Sequence, residues 1–358
     1  MDNKNIFKKF IDRYFIKGLS GMALGLFSTL IVGLIIKQIG LLLGDSELGA
    51  ILIGIGSIAS VATGVGIGVG VANALKAPQL IIYSSAVTGL IGAYASKFIT
   101  EAMFADSGIL LIGPGDPLGA FIAVVIGVEV GRLVAGKTSL DIVLTPIVTI
   151  LSGATIGLIV GPPISSFMTS LGNFIGWATE LRPFSMGIIV STTMGIFLTL
   201  PISSAAISII LGLNGLAAGA ATVGCASQMV GFAVASYREN KVNGLVAQGL
   251  GTSMLQIPNI VKNPRVWIPP IITSAILGPV STMVFQMENN AAGGGMGTSG
   301  LVGQIMTYQT MSGSESGLIL IIKILLLHFV LPAILTLIIS EFMRKRQWIK
   351  YGDMKLNV

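Results

Sequence analysis

Fifty-five consecutive residues, 183–237, contain no Asp, Glu, Lys or Arg. A segment of that length without charge has no water-facing side, and it is long enough for two membrane spans of about 20 apolar residues each. Further uncharged runs occur at 18–36, 48–75, 77–96, 142–179, 242–261 and 266–287. Two interrupted candidates join them: 118–135, carrying Glu129 and Arg132, and 317–340, carrying Lys323 and His328. With a break near Pro201 or around 212–215, the chain reads as an all-α polytopic membrane protein of about ten transmembrane helices. Only 10% of the 358 residues are charged, against about 25% in soluble domains. This excludes a soluble enzyme, a disordered chain and a disulfide scaffold. One Cys and one His also exclude a His- or Cys-rich metal site, and neither a metal nor a cofactor is expected.

The charges that exist sit mainly at the ends. Lys4, Lys8, Lys9, Arg13 and Lys17 precede the first apolar run, and Arg344, Lys345, Arg346, Lys350 and Lys355 follow the last. Basic flanks stay on the cytoplasmic side, so both termini are expected there, with the membrane crossed an even number of times. This orientation accounts for the basic ends without nucleic acid. Ile6, Phe7, Phe10, Ile11, Tyr14 and Phe15 form one apolar stripe, so residues 1–17 are expected to lie in the interface as an amphipathic segment, not as a cleavable signal peptide. Trp177, Trp267 and Trp348 fall at the ends of expected spans, where indole rings prefer to sit.

Three segments recur in order. Met22-Ala-Leu-Gly-Leu-Phe-Ser-Thr-Leu30 matches Thr192-Thr-Met-Gly-Ile-Phe-Leu-Thr-Leu200, Ala74–Ile81 matches Met254–Val261, and Ile164–Met168 matches Ile339–Met343. The spacing implies a duplication: a first transmembrane repeat over 18–168, a connection over 169–184, a second repeat over 185–343 and a basic tail over 344–358. Five spans per half would invert the second copy, as in many secondary transporters. The polar insert Arg238-Glu-Asn-Lys241 has no counterpart in the first half, and a re-entrant segment after it would preserve the inversion.

Helix breaks within a membrane are tolerated where protein or water covers the backbone. Leu75-Lys-Ala-Pro78-Gln79 and Leu255-Gln-Ile-Pro258-Asn259 are paired breaks at corresponding places, each a proline followed by a carboxamide. They make Asn73, Gln79, Gln256 and Asn259 candidates for binding a hydroxyl-rich solute, or else mark ordinary kinks at Pro78 and Pro258. Asp116, between the glycines and prolines of 113–117, is a fifth candidate; the glycine-rich 291–297 is a second such turn, suited to a re-entrant tip or an exposed loop. Glu129 and Arg132 share a helix face and read as a mutually neutralising pair or a pathway. His328 reads as a packed side chain or a proton carrier, and Lys323 as a snorkelling one. The run Gly64-Val-Gly-Ile-Gly-Val-Gly70 carries two overlapping GxxxG spacings and reads as a helix-packing face. Cys225 reads as a small buried hydrophobe.

The segments Gly113-Pro-Gly-Asp-Pro-Leu-Gly-Ala-Phe-Ile122, Gly127-Val-Glu-Val-Gly-Arg-Leu-Val134, Gly136–Val143 with Thr145-Pro146, and 184–256 with Asn214-Gly215 and Gly224-Cys-Ala-Ser-Gln228, resemble a branch of the bacterial phosphotransferase-system IIC permeases, distinct from the glucose type. The resemblance covers about residues 10–345. It implies a dimeric sugar permease with about ten spans, re-entrant hairpins and a separate IIB partner that phosphorylates the incoming sugar. No attached IIA or IIB domain is read here, Cys225 lies in an apolar span unsuited to a phosphocysteine, and the Glu- and His-bearing sugar motif of the glucose-type branch is absent. These departures count against phosphotransfer coupling. The expected function is transport of a small polar solute such as a sugar. The alternatives are an ion-coupled transporter of another organic solute and a non-transporting sensor or scaffold on the same fold.

Overall fold

The computed structural model describes residues 9–105 and 108–356; Lys4, Ile6, Phe7 and Lys8 lie outside them. The chain is an all-α polytopic membrane protein. It divides into two compact units, one ending at Phe167 and one running from Met168.

The first unit is a succession of helices held by glycine contacts. Helix α1, Ile11–Leu42, packs on α2, Glu47–Val61, and α3, Thr63–Ala74, which meet at a 49° bend. A Cβ at Gly33 would press on the Gly56 carbonyl, at Gly40 on that of Gly49, at Gly25 on that of Gly66, and at Gly21 on that of Gly70. Partner numbers that fall as the others rise make the pair antiparallel. The backbones meet where no side chain intervenes, which is how helices associate when lipid removes the hydrophobic drive. The next contacts repeat the device: Gly64 and Gly68 lie against Gly89 and Ser85 of α4, Gln79–Ala93. Gly92 then lies against Gly119 of α6, Pro117–Arg132, and Gly127 against Thr149 of α7, Asp141–Thr179. The 64–70 run is therefore a packing face on both sides. Between α4 and α6 lie a short helix α5, Ala95–Ile99, and a two-residue strand pair.

The second unit is built around α10, Gly215–Ala235, whose apolar window is 94% buried, against 22% for α7. Its small residues (Gly, Ala, Ser, Thr, Cys) admit neighbours from every direction. Helix α8, Pro183–Thr199, runs parallel to it, with Gly224 against Ser191 and Gly195 against Gln228. The short α9, Ser204–Ile210, connects the two. Three elements follow α10 before the next long helix: α11, Tyr237–Val246; a turn; and α12, Ile257–Lys262. Then come α13, Pro264–Phe285; α14, Ala291–Gly294; α15, Val302–Met311; and α16, Gly317–Lys345. Helix α13 opposes α8, with Gly187 against Gly278 and Ser191 Oγ donating to the Ser274 carbonyl (2.7 Å).

Several expectations change. Among the described residues, five helices are long and apolar enough to cross a bilayer, or six with α2–α3 taken as one span. The runs 77–96 and 118–135 yield helices of 15 and 16 residues, the first starting only after Pro78 and ending at Ala93, the second starting at Pro117 and ending already at Arg132. The run 242–261 is no continuous helix; it is broken at Gly251 and Thr252. Residues 11–17 are the first turns of α1, a 32-residue helix that spans about 48 Å at 1.5 Å per residue.

Candidate functional site: two hairpins beside a buried helix

After α13 the chain turns at Gln286 (φ +47°) and climbs along α10. The Asn289 amide donates to the Gly215 carbonyl (3.2 Å), Gly294 lies against Ala218, and Gly297 lies against Cys225 and Ala226. Thr298 Oγ1 reaches the Met229 sulfur (3.5 Å). The chain reverses through Gly300 and Leu301, both at positive φ, and α15 returns past Thr222 with Gly303 against Gly297. Asn289 holds the neck: its Nδ2 donates to Thr222 Oγ1 (2.8 Å) and to the Gly303 carbonyl (3.0 Å). The glycines of 293–297 are required here, because Cβ atoms would strike Asn289, Ser208, Ser204 and Cys225.

A second hairpin comes from the opposite end of α10. The backbone kinks at Lys241 (φ +52°) and runs back, with Gln248 Nε2 donating to Ser236 Oγ (2.9 Å) and Gly249 facing Ala233. It turns at 252–256 and returns through α12. The tips touch: Thr298 Oγ1 donates to the Gly249 carbonyl (2.5 Å). Beside this contact Ser253 Oγ lies 2.8 Å from Thr199 Oγ1. Gln228 of α10 accepts from Trp267 Nε1 (2.8 Å) and Thr199 Oγ1 (3.3 Å), and donates to Ser274 Oγ (3.4 Å). Trp267 is thus tied into the protein by its indole N–H. A buried carboxamide with satisfied bonds fixes a unique arrangement at low local dielectric.

Gln256 and Asn259 lie on the return arm and bond each other: Asn259 Nδ2 donates to Gln256 Oε1 (2.8 Å). Gln256 Nε2 donates to Gln248 Oε1 (2.7 Å) and the Met354 carbonyl (3.0 Å), and Asn259 Nδ2 to the Lys355 carbonyl (3.0 Å). These amides therefore hold the C-terminal tail. The polar insert completes the clasp, since Asn240 donates to the Met354 carbonyl and accepts from the Leu356 amide, both at 2.8 Å. Glu239 pairs with Arg344 at 2.9 Å, with 0% and 9% of the two side chains exposed. Pro258 sits in the first turn of α12, where its missing N–H costs nothing.

In the first unit, Asn73 and Gln79 are exposed at either side of the 75–78 break. Pro78 directly precedes α4, and Asp116 caps α6, its Oδ1 accepting from the Leu118 amide (3.0 Å). Glu129 does not pair with Arg132. It accepts from Arg13 of α1 at 3.0 and 2.6 Å, while Arg132 Nη2 donates to the Leu75 carbonyl (2.5 Å). Each side chain finds a partner on a neighbouring helix. In the second unit His328 is fully buried, its Nδ1 3.1 Å from Gln304 Nε2. Lys323 is paired with Glu315, and Cys225 is buried.

Thr298, Ser253, Thr199 and Gln228 were not singled out as site residues from the sequence. Gln228, a carboxamide inside the 55-residue uncharged run, is the signal that could have found them. A helical membrane body in which two hairpins run in from opposite ends of a buried helix and gather polar groups where they meet is the framework of a solute permease. The chain belongs to the EIIC family of the phosphotransferase system, whose family model matches residues 16–356. It is thus a multi-pass membrane permease component of that system. No curated protein matches it significantly.

Proposed function

We propose that the protein moves a small polar solute, of the sugar class, past the meeting point of the two hairpin tips. The observation that carries this reading is the Thr298–Gly249 contact, flanked by Ser253, Thr199 and Gln228. Hydroxyls, a carboxamide and a backbone carbonyl are the donors and acceptors a polyhydroxylated solute exchanges for water. Gln256 and Asn259 act one step behind them, holding the return arm; Asn73, Gln79 and Asp116 are the solute-binding candidates of the first unit. The recurring segments support two duplicated halves, with both basic ends in the cytoplasm of a bacterial cell. The protein works as a homodimer, and a IIB-type subunit is its partner where transport is coupled to phosphorylation.

Uptake of labelled hexoses and hexitols into proteoliposomes holding the purified chain tests this. Thr298→Ala, Ser253→Ala and Gln228→Ala are each expected to reduce uptake while the protein still folds; normal uptake in all three sinks the site. Running the assay with and without the phosphoryl-donor proteins separates group translocation from ion-coupled or facilitated movement. Specific binding without flux identifies the sensor.

A further inference from the structure

A cavity of about 630 Å³ opens in the first unit between the start of α1 and the end of α3, lined by Lys9, Asp12, Arg13, Lys17, Leu75 and Lys76, with Ala74. Lys9, Arg13 and Lys17 are spaced four apart and so share one helix face. Asp12 is paired with Lys17 (2.7 Å), and Glu129 orients the Arg13 guanidinium through two bonds. Lys9 and Lys76 make no ion pair among the described residues. Four cations thus line the cavity against one carboxylate, Asp12, while Arg132 and Glu129 bond the lining residues Leu75 and Arg13.

Two details mark this as more than a basic surface. The C-terminal carbonyls of a helix repel anions, yet here the Leu75 carbonyl is taken up by Arg132 Nη2 (2.5 Å). Lys76 stands at φ +57°, just past the Leu75 cap of α3, with the Ala77 amide closing back on the Ala72 carbonyl (3.0 Å). That position favours glycine. A lysine there keeps a strained backbone and contributes an ammonium group to the cavity rim.

We propose that this cavity binds a phosphate group carried on a small organic body: a phosphomonoester of a solute or the phosphodiester headgroup of an anionic lipid. The volume falls in the range of small-molecule sites. Arg13 is pre-oriented for a charge-assisted contact, and the lysines supply mobile point charges around it. The inference is independent of which solute the permease moves.

The test uses the full chain in phosphatidylcholine nanodiscs. Hexose 6-phosphate, unphosphorylated hexose and inorganic phosphate are titrated against the thermal unfolding midpoint. A second series replaces part of the phosphatidylcholine with phosphatidylglycerol. The variants are Lys9→Gln, Lys76→Gly and the double variant, with Lys137→Gln, an exposed lysine outside the cavity, as charge-matched control. Lys76→Gly keeps the positive φ that glycine adopts freely, so it removes the ammonium while preserving the fold. The phosphorylated hexose is expected to stabilise the wild type more than the neutral one if the source is soluble, and phosphatidylglycerol to do so if the source is lipid. Either effect weakens about tenfold per lost lysine, one charge-assisted contact's worth, and is untouched in the control. The proposal is overturned if neither ligand distinguishes the wild type from the double variant, or if Lys137→Gln weakens binding as much as the cavity variants do.

Discussion

The two proline–carboxamide breaks are alike in sequence and unlike in structure. At 75–79 the helix ends, Lys76 and Gln79 face outward, and one carbonyl is covered by Arg132. At 255–259 both carboxamides are buried and bound to the last residues of the chain. A backbone break in a membrane protein must have its polar groups satisfied, and the two places satisfy them by different means: one arginine donated from a neighbouring helix against a whole docked tail. Local sequence sets where the helix breaks; distant sequence sets whether the break is sealed.

Removing the seal is the largest expected perturbation. Truncation after Gln347 deletes Ile349, Met354 and Leu356, which are 1%, 1% and 7% exposed. Three such side chains, at about 1.5–3 kcal/mol each, amount to about 5 kcal/mol or more. The amides of Gln256 and Asn259 lose their carbonyl partners as well. The truncated protein is expected to unfold at a much lower temperature in detergent and to be cut within 242–262 by limited proteolysis. An unchanged midpoint would show the tail to be an ornament of the second break and the comparison empty.

Single substitutions at the breaks should fall in order. Gln256→Ala strands Gln248 Oε1 and takes one of two partners from Asn259 Nδ2 and from the Met354 carbonyl, and an orphaned buried group costs about 1–3 kcal/mol. A loss of about 3 kcal/mol is expected, read by thermal or denaturant unfolding. Arg132→Gln removes the one covering bond at the first break. Its side chain is only half-buried, so water replaces part of what is lost and the cost is about 1 kcal/mol. A larger loss for Arg132→Gln than for Gln256→Ala would reverse the assignment of sealed and open breaks.

Helix existence, the 64–70 packing face and the positions of both breaks were legible because they depend on runs and spacings within one segment. The packing glycines are read twice, once from the spacing and once from their carbonyl contacts with Gly21, Gly25, Gly89 and Ser85. What was not legible lies between distant segments. Glu129 finds Arg13 across 116 positions, and Asn240, which looked like part of an awkward polar insert, clasps residues 354 and 356. The run 242–261 shows the same limit from another side. Apolar composition is equally compatible with a span and with a hairpin, and the choice is made by where its tip finds a partner, here Thr298.

The smallest expected effect is also the sharpest test of the open break. Gln79 is the first residue of α4, its side chain exposed and bonded to no described residue. Its backbone N–H is among those a helix start leaves without an intrahelical partner, and alanine is the better helix former. Gln79→Ala is therefore expected to change stability by less than about 0.5 kcal/mol, where the matching loss of Gln256 costs several times more. If the unfolding midpoint falls as far as in Gln256→Ala, this break too is sealed in the membrane, by lipid or by a second copy of the chain. If stability holds while solute uptake drops, the exposed carboxamide contacts the solute's path. The difference between the two breaks is then functional: one holds the fold, and the other serves transport.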